Sequence, residues 1–122
     1  MTFDLFLGID WSGARGEMHR GISVFAAERG DAPPRPVSPP VGAKRWSRPA
    51  VMDYLQQASE TKQVLAGIDF AFAYPFHDTS SYYPNATGSP DNPRGLWQLI
   101  DEINQQQPYL YGGAIWDDAE FG

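Results

Sequence analysis

Phe3-Asp4-Leu5-Phe6-Leu7-Gly8-Ile9-Asp10 and Val64-Leu65-Ala66-Gly67-Ile68-Asp69 are two short apolar runs, each closing on Gly-Ile-Asp. An aromatic residue follows each, Trp11 and Phe70. Apolar runs of this length, bounded by turn residues, read as strands. Side chains alternate across a strand, so Phe3, Leu5, Leu7 and Ile9 share one face. Asp4, Phe6, Gly8 and Asp10 share the other. In the second run Leu65, Gly67 and Asp69 fall together. Each aspartate thus has a glycine two residues earlier on its own face, leaving open space beside the carboxylate. Neighbouring strands lie about 4.8 Å apart. Adjacent and in register, these two would place Asp10 and Asp69 together at one end of a sheet.

Two carboxylates that close repel, and one takes up a proton unless a cation intervenes. Mg²⁺ suits such a pair, because it takes hard oxygen ligands and is held by one or two carboxylates plus waters and substrate phosphates. Two such ions about 4 Å apart position an attacking water and stabilise the leaving oxygen in phosphodiester cleavage. An ordinary alternative stands beside this. Asp10 before Ser12-Gly13 also matches an Asx-turn at a strand end, and Asp69 can cap the start of its loop in the same way.

Outward from these runs the chain orders itself. Ser12 to Glu17 reads as a turn, and Arg20 to Ala26 as an antiparallel hairpin partner of the first strand. Five prolines between Arg29 and Val41 make residues 29–41 a semi-rigid extended loop. Gly42 to Trp46 is the expected third strand. Ser47 reads as a helix N-cap with Pro49 in the first turn, and Trp46 and Val51 stand at the positions of a hydrophobic staple. Val51, Met52, Leu55 and Ala58 give that helix its apolar stripe, ending near Lys62. Residues 71–93 form a long aromatic-rich loop, and a loop that long is functional or disordered. Its many aromatics argue against disorder. Asn92 and Pro93 open a second helix bearing Leu96, Trp97, Ile100 and Ile103, which stops before Pro108. Tyr109 to Trp116 is the candidate for a fifth strand. With so little chain after it, one face of the sheet stays thinly covered, so either the chain is part of a longer protein or a homodimer covers that face.

The chain has 122 residues, a net charge of −6 and no cysteine. One domain, or part of one, is the expectation. Neither a disulfide frame nor a thiolate metal site exists. No apolar stretch approaches the roughly 18 residues of a membrane span, and no signal peptide opens the chain, so a cytoplasmic protein is the default. Acidity argues against a broad phosphate-tracking surface. It leaves room for a local basic patch: Lys44, Arg45 and Arg48 cluster around Trp46, and Arg15 and Arg20 flank the first turn. A solvated rim is the ordinary reading of these. Asp117, Asp118 and Glu120 likewise read as a solvated tail.

The Gly8-Ile9-Asp10-Trp11-Ser12-Gly13 start, the hairpin after it, and Gly67-Ile68-Asp69-Phe70 running into Ala73-Tyr74-Pro75 resemble the RNase H-like superfamily, within it a group of uncharacterised predicted nucleases. The resemblance spans Phe3 to Pro75. It implies an α/β fold, a five-stranded mixed sheet ordered 3-2-1-4-5 with helices on its faces, here the whole domain or its N-terminal portion. It also implies a metal-dependent nuclease in which Asp10 and Asp69 hold Mg²⁺ or Mn²⁺ and serve catalysis, with nucleic acid or a nucleotide as substrate. Such nucleases use a third or fourth acid, commonly from a C-terminal helix, and none is visible here. Trp11, Ser12, Arg15 and His77 are the candidate substrate contacts. Trp11 offers a stacking surface and His77 a base or ligand just past the second strand. Ordinary packing for Trp11 and an exposed loop position for His77 are the plainer alternatives. Two rival readings share the core: an actin-like or sugar-kinase-like nucleotide-binding domain, whose turn cradles phosphate through backbone amides, and a non-catalytic RNase H-like interaction module.

Overall fold

The computed structural model describes residues 2–70 and 75–122. Phe72, Ala73 and Tyr74, part of the long loop and of the resemblance, lie outside them. The chain divides into two compact units, Met1–Phe70 and Ala71–Gly122.

The first unit is a four-stranded mixed sheet with one helix. Strand β1 runs Leu5–Asp10, β2 Ser23–Glu28, β3 Arg35–Pro36, and β4 Val64–Ile68. Their spatial order is β3-β2-β1-β4. β1 pairs antiparallel with β2, placing Asp10 opposite Ser23 and Gly8 opposite Phe25. It pairs parallel with β4, placing Gly8 beside Gly67 and Ile9 beside Ile68. The connection from β2 to β4 runs through helix α1, Arg48–Thr61, as a return to a parallel neighbour requires.

Strand parity decides the core. Leu5, Leu7, Ile9, Val24 and Ala26 are buried against α1, with Val51 and Trp46, and with Leu55, Tyr54 and Ala58 half-buried beside them. The alternate residues Phe6, Phe25 and Leu65 are 37%, 44% and 47% exposed, so the other sheet face is open. Each buried aliphatic contributes roughly 1.5–3 kcal/mol over an exposed one, which fixes the register of β1 and β2.

Helix α1 begins as its residues dictate. Ser47 Oγ accepts the Ala50 amide at 3.1 Å, Pro49 sits in the first turn, and the Lys62 amide closes the last turn on Ala58 O at 3.1 Å. Trp46 and Val51 meet in one buried cluster, as a staple does. Asp4 ties the start of β1 to the approach to β4: it accepts the Gln63 amide at 3.1 Å and the Arg29 guanidinium at 2.8 Å.

The third strand is not Gly42 to Trp46. It is Arg35–Pro36, inside the proline-rich loop. An edge strand tolerates proline because only one side needs amide donors. Val37 extends the pairing with its amide on Val24 O at 2.8 Å. Residues 42–46 contribute only the isolated antiparallel bridge of Trp46 with His19.

In the second unit, α2 runs Pro93–Asn104, with Asn92 Oδ1 accepting the Gly95 amide at 2.8 Å. Leu96 and Ile115 are its buried apolar residues. The fifth strand expected over Tyr109 to Trp116 does not form. Pro108–Leu110 and Gly113–Asp117 are 3₁₀ turns, and Tyr109 and Leu110 take φ of 58° and 56°, which no strand accommodates. No described helix is long and apolar enough to cross a membrane.

Candidate metal centre

Asp10 is the last residue of β1 and Asp69 directly follows β4. The parallel register continues one step further, with the Asp69 amide donating to Ile9 O at 3.3 Å, so the two carboxylates emerge side by side. Both side chains lie on the open face. A β-carbon built on Gly8 meets nothing within 4 Å, and one on Gly67 meets only Leu7 O, at 4.0 Å. The floor beneath the pair is therefore bare backbone.

The two acids are not equivalent. Asp69 Oδ1 accepts the Trp11 amide at 2.7 Å, a bond across 58 residues that joins the two strand ends. That amide, and then the contact with Asp10, holds the Asp69 carboxyl below the ordinary range. Asp10 is pushed the other way, first by its hydrogen bond with the Asp69 carboxylate, then by that group's charge, then by desolvation. Of the pair, Asp10 is therefore the carboxyl that protonates first as pH falls. The Trp11 amide comes from the other strand's end and not from the loop that Asp69 opens, so the bond is not the local cap of the alternative reading. One of the lone-pair sites of Asp69 serves Trp11, and a carboxylate has about four.

The segment after Asp10 is braced from beneath. Arg48, at the start of α1, is 1% exposed, and its Nη1 donates to Ser12 O at 2.9 Å and Ala14 O at 2.8 Å. His19, also buried, donates from Nε2 to Gly16 O at 2.9 Å. Arg48 is therefore no part of a solvated rim. Charge made it read as surface, whereas two carbonyl partners at the N-terminal end of an apolar helix make it an interior strut. The signal available in sequence was its place between an N-cap and a helix proline, where the side chain leaves the helix towards the preceding loop.

Trp11 has its ring 5.9 Å from that of Phe70, tilted by 54°. Ser12 Oγ accepts the Ala14 amide at 3.3 Å, and Arg15 is exposed on the same turn. His77 belongs to the second unit, its ring 5.9 Å from that of Phe76. In that unit Asp118 and Glu120 serve the local backbone: Asp118 Oδ1 accepts the Glu120 and Phe121 amides at 2.9 and 3.0 Å, and Glu120 Oε1 accepts the Gly88 amide at 2.9 Å. Among the described residues no three of His, Asp and Glu gather closely enough to form a three-ligand metal site.

The donor set nonetheless suits Mg²⁺ or Mn²⁺: two adjacent hard carboxylates over an unfilled floor. Comparison of the chain with family models, curated proteins and solved structures returns no match.

Proposed function

We propose that the chain is an RNase H-like, metal-dependent phosphodiesterase centred on Asp10 and Asp69. One observation carries this reading: two aspartates end adjacent parallel strands in register, on an open face. The sheet order β3-β2-β1-β4 supports it, since it agrees with the first four positions of the order that the resemblance implies.

Asp10 and Asp69 would hold Mg²⁺ or Mn²⁺, which supplies the Lewis acidity that phosphodiester hydrolysis requires. The chain's own residues prepare the place. The Trp11 amide fixes the Asp69 rotamer and keeps that carboxylate ionised. A cation bound there would relieve the repulsion between the two carboxylates that raises Asp10. Gly8 and Gly67 keep the floor low enough for a phosphate group to approach. Arg48 holds the Ser12–Ala14 backbone, so the wall beside the pair is preorganised.

The test is cleavage of single- and double-stranded DNA and RNA by the purified chain with Mg²⁺ or Mn²⁺. Asp10→Asn and Asp69→Asn are each expected to lower the rate by more than about a hundredfold, because each removes a ligand to the charge-stabilising cation. Equal cleavage by the variants, or no cleavage by the parent chain on any of the four substrates, overturns the reading.

A further inference from the structure

Outside the acid pair, the first unit carries a cavity of about 270 Å³ along the outer edge of β2, beyond the short β3. Its rim holds Arg20, Lys44 and Arg45, and no Asp or Glu lines it. Among the described residues the ion pairs involve Arg29, Arg35 and Lys62, so none of the three rim cations is engaged in one. Its walls are apolar, formed by Phe25, Val37 and Pro39 with the buried Trp46. Ser23 also lines it, and Ser23 is the residue paired with Asp10.

We propose that this cavity is a binding site for one nucleotide unit, the ring on the apolar walls and the phosphate on Arg20, Lys44 and Arg45. Three features converge on that ligand. On a chain of net charge −6, a concave surface free of acids with three unengaged cations selects an anion locally against a repulsive background. Apolar walls add a preference for an anion with a ring attached over a bare ion, since proline and phenylalanine offer a flat face to any base. The volume lies just under the roughly 300 Å³ at which drug-sized ligand pockets begin, which suits one ring and its phosphate. The identity of the ligand as a nucleotide rests on the phosphodiesterase reading, whereas the preference for a ring-bearing anion rests on the cavity alone. Ser23 stands one antiparallel pairing, about 5 Å, from Asp10. Ser23 thus puts one lining residue of the cavity a single strand away from the acid pair.

Calorimetric titration of the whole chain in EDTA separates the two claims. The probes are dTMP, thymidine, inorganic phosphate, a glutamate-rich peptide and a short oligothymidylate. The expected result is saturable binding of dTMP, with thymidine, phosphate and the peptide each at least tenfold weaker. The double variant Lys44→Gln/Arg45→Gln, both positions exposed, should weaken dTMP at least tenfold with an unchanged far-UV spectrum, and Asp10→Asn should leave dTMP affinity as it is. Tighter binding of the oligothymidylate identifies the ligand as part of a strand, and equal binding identifies a free nucleotide. Phosphate, thymidine or the peptide binding as well as dTMP, or the double variant binding dTMP as the parent does, overturns the proposal. Loss of Mg²⁺-dependent cleavage with dTMP binding intact would count against the phosphodiesterase reading alone. Cleavage without dTMP binding would count against the cavity alone.

Discussion

At the scale of single residues, the asymmetry between Asp10 and Asp69 has measurable consequences. The native structure raises the Asp10 carboxyl above its ordinary value of 3.8, so its ionised form is disfavoured relative to the unfolded chain. For an acid raised in this way the native state loses stability as pH climbs through the raised value. The loss is relieved in acid, where Asp10 is protonated in both states. Asp10→Asn is therefore expected to raise the melting temperature at neutral pH in EDTA, and the gain should vanish below pH 3.8. Added Mg²⁺ should stabilise the parent chain and not the variant, because only the parent offers a cation two carboxylates. For the same reason Mg²⁺ affinity should rise with pH while Asp10 is still protonated and level off once it is ionised. Differential scanning calorimetry across pH, with and without Mg²⁺, reads all of this. Arg48 gives a second test. Arg48→Met keeps volume and removes the donor to the Ser12 and Ala14 carbonyls, an expected cost of about 3 kcal/mol in urea unfolding from the loss of charged hydrogen bonds to buried groups.

At the scale of elements, parity along β1 makes a prediction that two adjacent residues decide. Leu7 is 4% exposed against α1, and Phe6 is 37% exposed on the open face. Leu7→Ala should cost about 2–5 kcal/mol, and Phe6→Ser less than about 1 kcal/mol, in the same denaturant titration. Reversal of that order would mean that the open face is covered in solution. Parity was legible in the sequence because alternation in Phe3 to Asp10 and Val64 to Asp69 is local, and so was α1, whose cap and staple residues lie within five positions of one another. What was not legible depended on partners far along the chain. Pro36 lies in a segment whose proline content argues for a loop, and only its place at the sheet edge makes it strand. Tyr109 and Leu110 have strand-forming side chains in a left-handed backbone, which no propensity reveals. Of the acid pair, the two residues were visible as a repeated tripeptide. Their division of labour was not, because it is set by the Trp11 amide across 58 residues.

At the scale of the whole molecule, fifteen acidic residues face nine basic ones, and only local geometry separates a binding surface from a repulsive one. A chain of this balance cannot hold nucleic acid by spreading cations along the backbone. On the proposed reading, attraction centres on the cavity rim, where Arg20, Lys44 and Arg45 stand without acidic neighbours in the lining. The number of counterions released on binding a single strand is bounded by those three cations. The logarithm of the affinity for an oligothymidylate in EDTA should thus fall with the logarithm of salt concentration at a slope of about −2. Removing two cations with Lys44→Gln/Arg45→Gln should flatten that slope to about −0.7. Fluorescence-anisotropy titrations between low and physiological salt measure both. A slope much steeper than −2 would place the strand on basic residues elsewhere on the chain. A slope near zero would mean that the apolar walls bind alone. The expected intermediate value follows from an acidic protein that concentrates its anion recognition in one cavity, one strand away from the acids proposed to do the chemistry.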